Sequence, residues 1–405
     1  MALNLFVDPA SRRVRLSPRD PLFFQNPYPA YEAIRAKSPM FFWEDYGFWC
    51  FLDHADVGAL LRDRRFGRQV LHVASREALG WPEPPAHLEP FQAIERHSLL
   101  ELEPPEHTRL RGLINRAFVS RQVERLAPAI AARTHQLIDG FEGERAADLI
   151  ERFATPIPVA VIADLIGAPR EMTNQILAWS HRMVAMYQFG VTRAVEDEAA
   201  VASREFAAFV RDLVAERRRA PREDLISRLV EAESEGGKLS LDEMTTTIVL
   251  LLNAGHEATV HGLGNAIKAL LEHGERPRAD EEAVDELLRF DAPLHLFTRY
   301  ALQDLEIAGV KLRLGDQIGL LLGAANRDPK VFAQAPQLDL SRSRNPHLAF
   351  GAGIHFCVGA PLARLEMRVA LPILFERLPR LRLAAPARYR DAFHFHGLVA
   401  LPVEW

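Results

Sequence analysis

Cys357 stands in the stretch FGAGIHFCVG (residues 350–359), between glycines and two residues after His355. The only other cysteine, Cys50, is far away in sequence, so the two make neither a disulfide framework nor a Cys-x-x-Cys metal site. Gly351, Gly353 and Gly359 open backbone conformations barred to other residues and allow close approach to a flat object. Ala360-Pro361 then begins a helical run, PLARLEMRVALPILFERL. The sulfur therefore falls at a helix N-terminus, where unpaired N–H groups and the dipole favour thiolate over thiol. A thiolate on a glycine-opened surface is a soft axial ligand for an iron porphyrin.

A second stretch, HEATVH (256–261), almost spells a zinc-protease helix, but that motif needs its histidines four apart. Here they are five apart, which turns the second ring about 140° from the first, so His256 and His261 are not read as sharing a metal. On the same helix, Ala254 and Ala258 share a face with Gly255 beside them, and Glu257 lies about 60° round from Ala254. His256, about 160° away, is read as a packing or hydrogen-bonding residue without chemistry.

Helices must position these groups. Periodicity predicts helices over 27–37, 106–118, 121–141, 146–166, 170–187 and 196–219. The longest runs from Leu241 to His273, opened by Ser240 with Glu243 three residues on, a capping-box pattern. Strand-like pieces are short: 40–43, 48–52, 299–301, 305–307, 317–322 and 398–403. The fold class expected is mainly α with a small β region, in a single domain over 1–405 whose first 19 residues form a loosely ordered extension.

The composition, 48% hydrophobic and 25% charged, is that of an ordinary globular protein able to bury a sizeable core. A net charge of −5 gives no basic field, so nucleic acid is not an expected partner. The N-terminal stretch has no apolar run suited to a signal peptide or membrane anchor, and a cytoplasmic location is expected.

The pattern Phe-x-x-Gly-x-His-x-Cys-x-Gly from Phe350 to Gly359 resembles the cysteine-ligand loop of the cytochromes P-450, the haem-thiolate monooxygenases. Glu286 and Arg289 in ELLR resemble that family's Glu-x-x-Arg, and EPPEHTRLRGLINRAF (103–118) its haem-contacting helix. AGHEAT (254–259) resembles its oxygen-activating stretch; NRDP (326–329) and FHGLVALPV (395–403) are also similar. Order and spacing fit from about residue 20 to the end.

The resemblance implies a single-domain cytochrome P-450 fold with haem b, iron protoporphyrin IX, between the long central helix and the cysteine-loop helix. Cys357 would ligate the iron, and Phe350, Gly351, Gly359 and Ala254 would contact the cofactor. His107, Arg111, Arg299 and His355 would meet the propionates, whose buried charge needs matching. Glu286 and Arg289 would form a buried pair that holds the core. The family's acid is Glu257, but the threonine usually next to it is Ala258, and Thr259 comes one position late, turned by about 100°. A substrate hydroxyl with ordered water, or water alone with poorer coupling, is expected to take over the missing hydroxyl's part in proton delivery; the third alternative is a native chemistry that does not need that relay.

The resemblance also implies insertion of one oxygen atom of O2 into a hydrophobic small organic substrate, by hydroxylation or epoxidation. A ferredoxin-type partner and its NAD(P)H-dependent reductase would supply electrons, docking near Arg116, Arg364 and Arg368, to a monomer without a membrane anchor. The substrate pocket would draw on 71–100, 183–189, Leu250, Leu251, 294–297 and Leu398, with His295 and His394 able to fix a polar group. The alternatives are a peroxide-driven haem-thiolate enzyme and a haem protein that only binds a ligand.

Overall fold

A computed structural model describes residues 3–117, 123–234 and 239–405. Their contacts divide into two compact units, one of residues 1–73, 127–155 and 258–405, the other of 74–126 and 156–257.

The first unit carries the β structure. Its main sheet runs, in spatial order, Phe6–Asp8, Arg13–Arg15, Met40–Trp43, Phe48–Phe51, Gln317–Leu321, Leu296–Ala301 and Phe66–Gly67. Strand Gln317–Leu321 lies parallel to Phe48–Phe51, with Gly319 opposite Cys50, and antiparallel to Leu296–Ala301, with Ile318 opposite Arg299. Gly319 is required there, because an added Cβ would meet the Cys50 sulfur at 2.7 Å. One core, built on Phe23, Tyr31, Phe41, Trp43 and Phe393, includes Val7, Val14 and Leu16. Residues 6–16 are therefore part of the sheet and core and not a loose extension. Val7 and Val14 face each other in paired strands and bury their side chains, which ties the chain start to the sheet.

Helices Ala127–Asp139, Glu281–Phe290 and Ala360–Arg377 belong to this unit. The helix expected over 146–166 is broken. Ala146–Asp148 pairs as a strand with Pro402–Glu404, a π-type turn covers Ile150–Ala154, and the α-helix is Pro156–Ile166. Pro156 and Pro158 have no N–H to donate, so they suit a helix start and not a helix interior. The second unit is helical, with Glu89–Glu95, Glu106–Ala117, Pro156–Ile166, Thr173–Val184, Arg193–Arg219 and Leu225–Ser234.

The long helix is Leu241–His273, 33 residues, or about 50 Å. Its capping box forms: the Glu243 N–H donates to Ser240 Oγ at 3.2 Å, and the Ser240 N–H donates to Glu243 Oε2 at 2.8 Å. Gly274, at φ +65°, ends it in the left-handed conformation that glycine favours. The boundary between the units falls inside this helix, after Glu257.

Candidate active site

In the first unit, the cysteine loop is locked by its own backbone. The Cys357 N–H donates to Phe350 O at 3.0 Å, and the Gly351 N–H donates to Leu348 O at 2.8 Å. Gly351 and Gly353 have φ of +67° and +73°. At Gly353 an added Cβ would meet Leu61 O at 2.4 Å, and at Gly351 it would meet the Phe297 ring at 3.1 Å. The second contact joins the loop to strand Leu296–Ala301, which carries the buried Arg299; that guanidinium donates to Thr298 O at 2.8 Å. The Phe350 ring lies between Phe356, at 6.2 Å, and the Arg364 guanidinium, at 4.6 Å. From upstream, Asn326 of NRDP accepts the Leu348 N–H at 2.7 Å.

Cys357 is partly buried just ahead of helix Ala360–Arg377, and His355 is partly buried beside it. An added Cβ at Gly359 would stand 3.9 Å from the Cys357 sulfur, in ordinary van der Waals contact, so the glycine lies directly beside it. Cys50 differs: it is fully buried, and desolvation pushes its thiol well above the usual range, so it is not a thiolate donor. The donor set of one loop sulfur and one buried guanidinium fits an iron porphyrin, the sulfur for the metal and the cation for a carboxylate.

Glu286 anchors the segment that leads into this loop. It accepts from Arg289 at 2.7 and 2.8 Å, Arg342 at 2.9 Å, Asn345 at 3.1 Å and the Asp339 N–H at 2.9 Å. Arg364 and Arg368, expected to be available for a redox partner, are engaged within the unit, with Asp285 at 2.7 Å and Glu281 at 3.5 Å. Arg116 has its side chain outside the described residues. His295 has no exposed surface among the described residues. It is fully buried among Tyr28, Tyr31 and Phe393, and its Nδ1 bonds the Tyr31 hydroxyl at 2.8 Å.

The second unit holds His107, Arg111, Ala254 and Glu257. His107 is buried on helix Glu106–Ala117, and Arg111 Nε donates to Asn115 at 2.9 Å. On the long helix, Ala254 is exposed and Glu257 is buried. Gly255 has a packing reason for its size: an added Cβ would meet Ile162 at 2.7 Å, so it admits helix Pro156–Ile166. Ala258 and Thr259, the latter buried, open the first unit's share of this helix. Glu257 Oε2 lies 3.5 Å from His181 Nε2 and 3.8 Å from His256 Nε2. His181 was not legible in the sequence, because no spacing rule links helix Thr173–Val184 to Glu257. Two expected substrate segments do meet, as the Tyr187 hydroxyl donates to Glu95 at 3.1 Å and Phe91 packs on Tyr187. Met183 accepts a weak contact from Asn253 on the long helix.

The sequence model of the family described as "Cytochrome P450" matches residues 281–383. The "Biotin biosynthesis cytochrome P450" of Bacillus subtilis (strain 168) is 35% identical over 391 residues, covering 94% of this chain and 96% of that protein. The chain belongs to the cytochrome P-450 family. "Nocardicin C N-oxygenase" of Nocardia uniformis subsp. tsuyamanensis is 38% identical, covering 93% of this chain and 95% of its own length. A solved P-450 structure, P450BioI in complex with hexadec-9Z-enoic acid ligated acyl carrier protein, superposes with a TM-score of 0.87 at 35% identity, over 95% of this chain and 99% of that one. The expected P-450 fold is thereby established, and with it a haem-iron monooxygenase. No helix among the described residues is long and apolar enough to cross a membrane.

Proposed function

We propose that this P-450 uses haem b to insert one oxygen atom into a hydrophobic small organic substrate, with electrons from a ferredoxin and its NAD(P)H-dependent reductase, as a cytoplasmic monomer whose two units act as one domain. The observation that carries the reading is the setting of Cys357, a sulfur fixed by a glycine turn ahead of a helix and tied through Gly351 to the strand of a buried arginine. Cys357 would hold the iron, Arg299 and His355 would match propionate charge, and His107 and Arg111 would complete that set. Bound haem supplies the activation of dioxygen by two electrons and two protons. Phe350, Gly351, Gly359 and Ala254 would contact the ring. Glu257 would hold the proton to be delivered. Ala258 offers no hydroxyl, so water and a substrate hydroxyl would complete the path.

Apolar residues in the expected substrate segments, Leu88, Phe91, Ile94 and Leu99 with Met183 and Leu251, support a hydrophobic substrate. So does the fatty-acyl carrier protein held by the similar P-450 structure. Ile354 and Phe356, both exposed beside Cys357, offer an apolar patch for a small redox protein.

The decisive experiment reduces the haem-loaded protein under carbon monoxide. A red-shifted Soret band is expected, and its loss in Cys357→His with haem retained; a wild type without the shift overturns the assignment. Ferredoxin-supported turnover should exceed peroxide-supported turnover, and the reverse result would favour a peroxide-driven enzyme.

A further inference from the structure

Three groups with metal-ligating atoms converge on one point of the second unit. Glu257 Oε2 lies 3.5 Å from His181 Nε2 and 3.8 Å from His256 Nε2, and the ligand atoms of all three lie within 4.8 Å of one another. His256 and Glu257 are buried, while the His181 side chain, on helix Thr173–Val184, is 50% exposed.

The tautomer of His256 follows from its other nitrogen. Nδ1 lies 2.7 Å from Leu252 O. A carbonyl oxygen only accepts, so Nδ1 carries the hydrogen. In the neutral ring Nε2 then bears a lone pair, and it faces a carboxylate oxygen that also bears lone pairs. A metal ion placed among the three ligand atoms would draw on lone pairs of both. An Nδ1–H given to a backbone carbonyl is how metal-binding histidines commonly fix the ring that presents Nε2 to the ion. Two imidazoles and one carboxylate are a donor set suited to zinc. Around a tetrahedral zinc with bonds of about 2.0–2.1 Å, donor atoms stand about 3.3 Å apart. The two carboxylate–imidazole separations, 3.5 and 3.8 Å, need to close by a few tenths of an ångström, the two imidazole nitrogens start within 4.8 Å of each other, and the exposed His181 gives an ion its way in.

We propose that His181, His256 and Glu257 form a zinc-binding site, with water in the fourth position. The site is distinct from the five-apart histidine pair of HEATVH, because its second imidazole comes from another helix. Zinc held here takes up the carboxylate that the proposed function assigns to proton supply, so it acts as an inhibitor. That consequence rests on the proposed function; zinc binding itself does not.

The test equilibrates haem-loaded, chelator-stripped protein with buffered zinc chloride and measures zinc per chain. One zinc is expected. His181→Ala, at a half-exposed position that should leave the haem spectrum intact, should weaken binding by at least about 100-fold, since even loss of a group that only orients a ligand costs about 10–100-fold. No bound zinc in the wild type overturns the proposal. Equal affinity in His181→Ala overturns it as well. In parallel, zinc should slow turnover of the wild type and not of His181→Ala. Zinc that binds in a His181-dependent manner without slowing turnover upholds the site and refutes Glu257 as the proton supplier.

Discussion

Glu286→Ala is the perturbation whose cost the structure defines best. The carboxylate and the Arg289 guanidinium are both fully buried, and Glu286 is the only anion hydrogen-bonded to that guanidinium among the described residues. The other Arg289 bonds go to the backbone carbonyls of Asn326, Ala335 and Gln337, at 2.9, 2.9 and 3.0 Å. Truncation leaves a buried cation held by dipoles alone. It also strands the Asp339 N–H, Arg342 Nε and Asn345 Nδ2, all of which point at the missing oxygens. Breaking a buried pair from one side costs about 3–5 kcal/mol. A total stability of about 5–15 kcal/mol leaves little margin. At a denaturant slope of about 3 kcal/mol/M, the urea midpoint should fall by about 1–1.7 M.

Glu286→Gln should fare little better than alanine. Every group around the carboxylate is a donor, so the new amide N–H2 must face donors on one side. The readouts are urea unfolding and the yield of protein with a red-shifted reduced carbon monoxide complex. A normal midpoint and yield for Glu286→Ala would refute the argument. Full recovery in Glu286→Gln would show that shape, not charge, is what the position needs.

Three further outcomes are expected. Ala258→Thr should raise the product formed per NAD(P)H consumed if water alone now serves the proton path, whereas unchanged coupling with efficient native turnover would mean that the substrate's own hydroxyl already does so. Glu366 lies fully buried in helix Ala360–Arg377 with neither oxygen hydrogen-bonded among the described residues, and desolvation raises its carboxyl well above the usual range. The folded state thus keeps a proton that the unfolded state releases above pH of about 4.5, costing about 1.4 kcal/mol per pH unit; Glu366→Gln should gain on the wild type in urea unfolding from pH 5 to pH 8, and a constant difference would refute this. Acid has the opposite effect at His394, whose burial beside Arg68 lowers it to about 4: as pH falls from about 6.5 to 4 the unfolded chain takes up a proton that the folded one refuses, a loss of up to about 3 kcal/mol, which His394→Gln should reduce.

The residues that spacing could reach in the sequence were those whose partners are near in the chain. Ser240 and Glu243 form their box as written, and Glu286 meets Arg289 across one helical turn. The glycines around Cys357 announce a turn, because two of them take positive φ. Periodicity failed where pairing over long distance decided the matter. Ala146–Asp148 became a strand because Pro402–Glu404 lies alongside it, and Phe6–Asp8 became one because Arg13–Arg15 turns back on it. Gly255 shows a different limit: its missing Cβ is filled by Ile162 of another helix, a neighbour that no spacing within AGHEAT could name. His256 shows the same limit from the other side. Its angle on the helix wheel, about 160° from Ala254, suggests packing or hydrogen bonding, and the ring does bond a carbonyl four residues earlier, but the wheel did not show that Nε2 comes within 3.8 Å of Glu257. A helix wheel fixes where a Cβ starts, not where a long side chain ends. The exposed imidazole on another helix that completes the group had no sequence signal, so the surroundings of Glu257 include a contact that only the folded chain makes.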